Sequence, residues 1–292
     1  MIRILASVFA ALLGLAFGSF LNVCLSRWPE DESVVKPRSH CRSCGRTLAW
    51  WENLPLVSWL ALRGQCRTCK SKISWRYPLV ELAVGGLWAL VAWQSLGPPF
   101  ENFILVSDPT ISAAVLSAKC IFLWLLVALA VLDAEHLWLP NWLTLPGIAL
   151  GIANFGLQMY VAGHFFIMNR SLQDAAALYL LSILAAAILI LLIRWFYWLV
   201  RRREGMGLGD AKLMALLAAW LGLPGALLSF ALGVFVGAIF AVGLLAMPNR
   251  SDKPEPWILT KLPFGTFLCI GGIISALWGQ PIIASYLRWA GF

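Results

Sequence analysis

Six residues of this chain have side chains and spacings suited to chemistry: the carboxylates Asp133 and Asp210 and the thiols Cys41, Cys44, Cys66 and Cys69. Asp210 stands in "EGMGLGDAKL", residues 204–213, with Gly205, Gly207 and Gly209 before it and a long apolar run after it. Asp133 closes another apolar run, in "LAVLDAEHLWLPNWLT". A charge at the edge of a membrane-length segment is costly unless it has a partner or a task. Two carboxylates brought together in a poorly solvated site cannot both ionise, so one keeps a proton while the other acts as a base. That arrangement can deprotonate a water and protonate a peptide carbonyl in one step. The pair titrates as a unit, so acid and base are not assigned to one residue each.

The glycines before Asp210 remove side chains where an extended peptide would approach the backbone, and they permit a break before a helix expected to begin near Ala211. A structural reading stands beside the catalytic one: Asp210 as an N-cap, worth about 1 kcal/mol. Taken alone, G-x-G-D favours the cap, whereas a second acid at the same membrane depth favours chemistry. Glu135 and His136 compete with Asp133 for any such role, and Glu204 and Lys212 read as interface charges.

Cys41–Cys44 and Cys66–Cys69 are two C-x-x-C pairs separated by 21 residues. Each pair can offer two thiolates from a tight turn, and two such knuckles complete a tetrahedral metal site, with zinc the expected ion. Disulfides are disfavoured by the reducing compartment that the topology implies, and a redox pair by the absence of a thioredoxin-like context. A site with four protein ligands is closed, so the metal would hold the loop together and take no part in catalysis. His40 reads as an ordinary loop residue, and Cys24, Cys120 and Cys269 as small buried hydrophobes. The apolar segment between the pairs, "LAWWENLPLVSWLALRGQ", either packs on the metal module, lies along the membrane interface or lines a substrate groove, and the sequence leaves these open.

The elements that must position these residues are membrane helices. Of 292 residues, 61% are hydrophobic and 12% charged, with 16 Trp, which is outside the range of soluble domains. Runs long enough to cross about 30 Å of hydrocarbon fall near 4–25, 79–96, 111–132, 139–163, 174–200, 226–247 and 264–285. The stretch 211–247 is too long for one helix and is interrupted by "GLPG" at 222–225, which suggests two short helices and about eight spans. The fold expected is an all-α polytopic membrane protein with a cytoplasmic four-cysteine zinc-binding loop domain. Its parts are a first helix (1–25), the loop domain (26–78) and a helical bundle (79–292). The first run lacks a small-residue cleavage site and reads as a retained helix, not a signal peptide.

Residues 26–78 carry ten of the 22 basic side chains, 201–212 carry four and 248–263 carry three, whereas 97–110 has none and 163–173 only Arg170. The positive-inside rule puts the basic loops in the cytoplasm and both termini outside. The net charge of +8 is therefore mainly a topology signal. It is spread over three loops and does not form the dense stripe of a nucleic-acid binder, so no nucleic-acid partner is expected.

The ordered set "FGSFLNVCLSRWP", "CRSCG…CRTCKSKISWRYPLVEL", "LDAEHLWLPNWLTLPG", "GMGLGDAKL" and "PFGTFLCIGG" resembles the bacterial type IV prepilin peptidases, and the likeness covers nearly the whole chain. The resemblance implies an intramembrane aspartic endopeptidase of the inner membrane, with Asp133 and Asp210 as its catalytic pair. It would cut prepilins and pseudopilins after a glycine at the cytoplasmic face, releasing a short basic leader. Members with the four-cysteine loop are similar in also methylating the new N-terminus, with S-adenosylmethionine as donor. Membrane lipids are the other partner expected. One departure is Asn141, where many members read "LPD". No glycine-rich nucleotide loop marks a cofactor site, and Gly64 and the Trp-rich segment are candidates by position alone. The rivals are a proton-coupled transporter with a zinc module, a membrane-tethered nucleic-acid module and a magnesium-dependent lipid-linked sugar transferase.

Overall fold

A computed structural model of the chain describes residues 1–96, 109–165, 172–203, 206–246 and 262–291. Residues 97–108, 166–171 and 247–261, with Glu204, Gly205, Arg170 and Asp252, lie outside the described residues. Long apolar stretches fold as helices because a helix satisfies every backbone polar group internally, as lipid demands. In chain order the helices are α1 (Ile2–Arg27), the short α2 (Val57–Ala61), α3 (Arg76–Ser95), α4 (Pro109–His136), α5 (Asn141–Phe165), α6 (Leu172–Arg201), α7 (Leu208–Ala246) and α8 (Phe264–Trp289). Among the described residues, five stretches are long and apolar enough to cross a membrane: Ile2–Glu30, Ser112–His136, Gln173–Arg201, Leu208–Leu244 and Phe264–Trp289. The chain is thus a multi-pass membrane protein, and its lipid-facing rows are apolar, as at Leu181, Leu184, Ile188 and Leu192 of α6.

The chain divides into two compact units, Met1–Ala128 and Leu129–Phe292, with the boundary inside α4. In the first unit α1 and α3 run antiparallel in very close contact. A Cβ on Gly14 would lie 2.8 Å from Gly85 Cα, and one on Gly18 would lie 2.8 Å from Glu81 Cα. One turn further, Asn22 Nδ2 donates to the Tyr77 carbonyl at 2.9 Å. Small residues at this seam let backbones approach where no hydrophobic effect drives helices together. Trp88 and Trp124 tie α4 to this pair by donating to the Cys120 and Phe17 carbonyls respectively.

In the second unit α7 packs against α6, α5 and α8. The break read at "GLPG" is present: Gly222 has φ 69° and ψ 174°, and Pro224 follows. The Gly225 carbonyl beyond it accepts hydroxyls from Ser229 at 2.7 Å and from Ser275 of α8 at 3.0 Å, so the interrupted backbone stays hydrogen-bonded. Tyr179 of α6 donates to the Ala219 carbonyl of α7 at 2.6 Å, and Trp220 of α7 to the Gly147 carbonyl of α5 at 2.9 Å. These contacts hold the part of α7 just before its break, and Asp210 lies in the first turn of the same stretch.

Candidate active site and metal centre

Asp133 and Asp210 both belong to the Leu129–Phe292 unit. Asp133 lies in the last turn of α4, which stops at Leu137, where φ is 51° and the N–H bonds back to the Asp133 carbonyl. Asp210 does not precede its helix: α7 begins at Leu208, two residues before it, so Asp210 sits within the first turn. Its carboxylate Oδ2 accepts the N–H of Gly207, the residue before the helix, at 3.0 Å. The cap reading is therefore half right: Asp210 satisfies an orphan donor from inside the helix, as the acid of a capping box does. Both acids are withdrawn from solvent, with 6% and 8% exposure. Burial to that degree exceeds what an interface cap requires.

The start of α8 holds Asp133. Thr266 donates its N–H to Asp133 Oδ2 at 2.7 Å, and its hydroxyl lies 3.2 Å from the same oxygen and 2.9 Å from the Ala130 carbonyl. Gly265 leaves the room this requires, since a Cβ there would fall 2.9 Å from Asp133 Cγ and Oδ2. Leu139, on the return from α4 to α5, joins the two acid-bearing segments. Its Cδ1 lies 3.1 Å from the Cβ position of Gly209 and 3.1 Å from that of Gly265. Two backbones thus meet one side chain, with Asp210 next to Gly209 and Asp133 against Gly265. Chemically, this is a buried carboxylate pair in which one oxygen of each is oriented by a backbone N–H.

Of the neighbouring acids and bases, Glu135 and His136 face each other at 3.9 Å and stay substantially exposed, unlike Asp133. Lys212 donates to Asn141 Oδ1 at 2.6 Å, linking the first turns of α7 and α5 beside the pair. Gly265, Thr266 and Leu139 had no role assigned from sequence. Their signal was available in part, in "PFGTF", where a glycine opens an apolar span.

The four cysteines come together in the first unit, with their ligand atoms all within 4.8 Å of one another. The loop builds two copies of one turn. Cys41 N–H bonds to the Arg46 carbonyl and Gly45 N–H to the Cys41 carbonyl, while Cys66 N–H bonds to the Ser71 carbonyl and Lys70 N–H to the Cys66 carbonyl. Gly45 and Lys70 take positive φ at equivalent places, 71° and 55°, and the pairs His40–Thr47 and Gln65–Lys72 bridge the two turns alike. The Cys41 and Cys69 sulfurs are 3.8 Å apart. Four sulfurs at about 2.3 Å from one tetrahedral ion would stand about 3.8 Å from each other, so the cluster fits a single metal ion. None of the seven cysteines is disulfide-bonded. The N–H groups of Cys44 and Ser43 lower the Cys41 thiol to about 6, and the Ser71 hydroxyl and N–H lower Cys69. Lowering favours the thiolate, which is the form a metal binds. His40 stands outside the cluster, its ring 3.1 Å from the Arg38 carbonyl.

The Trp-rich segment folds back on this module in part. Glu52 pairs with Arg46 at 2.6 Å and accepts the Ala49 N–H, and Trp59 packs on Trp75 with ring centroids 4.2 Å apart. Trp50, Val57 and Leu60 remain exposed, an apolar face suited to a membrane interface. Gly64 is no cofactor cradle: at its φ of +67° a Cβ would meet the Trp59 ring at 2.8 Å, so its space is already taken.

Comparison with known families gives two matches. Residues 12–95 match the bacterial peptidase A24 N-terminal domain, and residues 120–242 match the type IV leader peptidase family. Three curated relatives carry the name prepilin leader peptidase/N-methyltransferase. That of Pseudomonas aeruginosa is 37% identical over 96% of this chain and 93% of its own length. That of Stutzerimonas stutzeri is 36% identical over 98% and 96%, and that of Aeromonas hydrophila 36% identical over 94% and 92%. No solved structure matches the chain. The relatives are peptidases, which leaves the transporter reading without support.

Proposed function

This chain belongs to the type IV leader peptidase family, and from that premise we propose that it removes the leader from type IV prepilins and pseudopilins and methylates the amine so exposed. Cleavage is assigned to Asp133 and Asp210 at the cytoplasmic side of the bacterial inner membrane. One carboxylate takes a proton from water as the water oxygen attacks the scissile carbonyl carbon, while the protonated partner gives its proton to the carbonyl oxygen. Collapse of the tetrahedral adduct breaks the C–N bond, and a proton passes to the departing nitrogen. The products are a leader ending in a carboxylate and a pilin beginning with a free amine. The Thr266 and Gly207 N–H groups hold one oxygen of each carboxylate, leaving the pair little freedom to reorient during the step.

The observation that carries this reading is the burial, within one unit, of two backbone-anchored carboxylates whose neighbouring glycines, Gly209 and Gly265, both pack on Leu139. The test is a cleavage assay in liposomes with a prepilin substrate and a magnesium chelator, comparing wild type with Asp133→Asn and Asp210→Asn. Loss of turnover in both, with both proteins still in the membrane, is expected. Substantial turnover by either removes that residue from the pair, and inhibition of wild type by the chelator points to the metal-dependent transferase instead.

The loop 26–78, set between the first helix and the bundle 79–292, is assigned a structural zinc ion held by Cys41, Cys44, Cys66 and Cys69. When bound, the ion cross-links the two turns and lends no open coordination position. S-adenosylmethionine supplies the methyl group for the second activity. With Gly64 filled by Trp59, no residue of this chain is assigned to it.

A further inference from the structure

Arg194 lies in α6 seven residues before Arg201, about 10 Å deeper along the helix than that end. An arginine at such depth is costly and needs a specific reason to be there. It shares a cavity wall with Leu191, Trp195 and Trp198 of its own helix and with Leu208, the first residue of α7. Its Nη1 donates to the Met206 carbonyl at 3.1 Å. The N–H of the same peptide unit, that of Gly207, donates to Asp210 Oδ2 at 3.0 Å. One planar peptide therefore has a guanidinium on its oxygen and the Asp210 carboxylate on its nitrogen.

We propose that Arg194 is a positioning residue for Asp210, acting through the Met206–Gly207 peptide. Gly207 borders this peptide, and its backbone freedom leaves the peptide's orientation to be set by something else. Turned over, the peptide would present its carbonyl oxygen to the carboxylate, and the two would repel. The guanidinium holds the carbonyl on the far side and so keeps the N–H on Asp210. A cationic donor also polarises the peptide, which strengthens the N–H as a donor, and hydrogen bonds in series reinforce one another most where water is scarce. The inference rests on Asp210 being one of the catalytic pair, and its test separates the two claims.

The full-length enzyme in liposomes is assayed for kcat, KM and the pH dependence of kcat with a prepilin substrate, with Asp210→Asn as control. Loss of the charge-assisted bond to the Met206 carbonyl predicts that Arg194→Met lowers kcat about 10- to 100-fold, with KM within about 3-fold of wild type and the kcat–pH profile displaced. Arg194→Lys keeps a cationic donor for the carbonyl and is expected to restore most of kcat and the original profile. Wild-type kcat and pH profile in Arg194→Met, beside an inactive Asp210→Asn, overturns the inference alone. A raised KM with kcat intact also overturns it, because Arg194 then contacts substrate. An active Asp210→Asn removes the reading beneath it. Should Arg194→Met not accumulate in the membrane, Arg194→Gln carries the test: its neutral amide donor predicts an intermediate kcat, and wild-type behaviour refutes the proposal.

Discussion

Gly265→Ala is the substitution whose effect the site geometry specifies most closely. The added methyl would lie 2.9 Å from both Cγ and Oδ2 of Asp133 and 3.1 Å from Leu139 Cδ1. Ordinary contact needs several tenths of an ångström more, so a neighbour must move. Leu139 is itself pressed between Gly209 and Gly265, and the backbone at Thr266 is helical, which leaves the carboxylate as the group most free to swing. Moving it stretches the 2.7 Å bond from the Thr266 N–H and the 3.2 Å contact with the hydroxyl. Overpacking of this size costs about 1–3 kcal/mol in stability. In catalysis a misplacement of about 1 Å costs on the order of 100-fold, so a shift of half that gives about 10-fold or more in kcat. The assay is steady-state cleavage of a prepilin in liposomes, normalised to enzyme in the membrane, with Gly209→Ala as comparator. The three atoms nearest a methyl on Gly209 belong to Leu139, at 3.1, 3.2 and 3.6 Å, and none of them to a carboxylate, so this variant should cost less than about 3-fold in kcat. Wild-type kcat in Gly265→Ala, or a larger loss in Gly209→Ala, would show that the observed position of Asp133 is not the one chemistry uses.

Thr266→Val removes the hydroxyl but keeps the N–H on Asp133, so kcat should fall only about 3- to 10-fold, the scale of one modest hydrogen bond; a null effect in the same cleavage assay would assign all orientation to the backbone. Cys41→Ser with Cys44→Ser should reduce bound zinc, read by elemental analysis of the purified chain, from about one ion to none and expose the loop to protease, because one knuckle cannot complete a tetrahedral site. Full zinc content in that double variant would show that these cysteines are not ligands. Glu52 is held below the usual carboxylate range, first by the Arg46 guanidinium hydrogen bond. A depressed folded value means its contribution is complete above the unfolded value of about 4.3 and is lost as pH falls through the folded one. Glu52→Gln should therefore lower the loop's resistance to heat or protease at pH 7, and its deficit against wild type should shrink as pH drops below about 4. A deficit independent of pH would locate the effect in packing.

How much of this was legible in the sequence depended on the range of the interaction. The helices were readable because hydropathy is local, and the α7 break because Gly222 and Pro224 carry it in their own backbone preferences. The four-cysteine centre was readable because each knuckle is a local turn and the chemistry of thiolates needs only that two such turns meet. Asp133 and Asp210 stood out as charges at the ends of apolar runs, and their burial in one unit agrees with that reading. The helix start near Ala211 was misjudged by three residues, since a glycine-rich turn gives no propensity signal for where the first helical hydrogen bond forms, and Asp210 consequently serves from inside the helix.

What the sequence did not disclose is the support around the acids, and the reason is that it is contributed by backbone. Asp133 is oriented by an N–H that any residue at 266 except proline would supply, and Asp210 by the N–H of Gly207. A backbone donor leaves no side-chain signature. The residues that mark such a site are therefore those that make room, Gly265 and Gly209, and those that hold the donating peptide, such as Arg194. Each looks ordinary in sequence, as a glycine in an apolar span or an arginine near a basic helix end. Their effect follows from an arrangement in which α4, α7 and α8 bring their ends to one point. Substitutions that keep both acids intact but displace an acid or its donating peptide, such as Gly265→Ala and Arg194→Met, should thus lower kcat while leaving substrate affinity nearly unchanged, whereas a surface charge such as Glu135, exposed beside Asp133, should leave kcat unaffected.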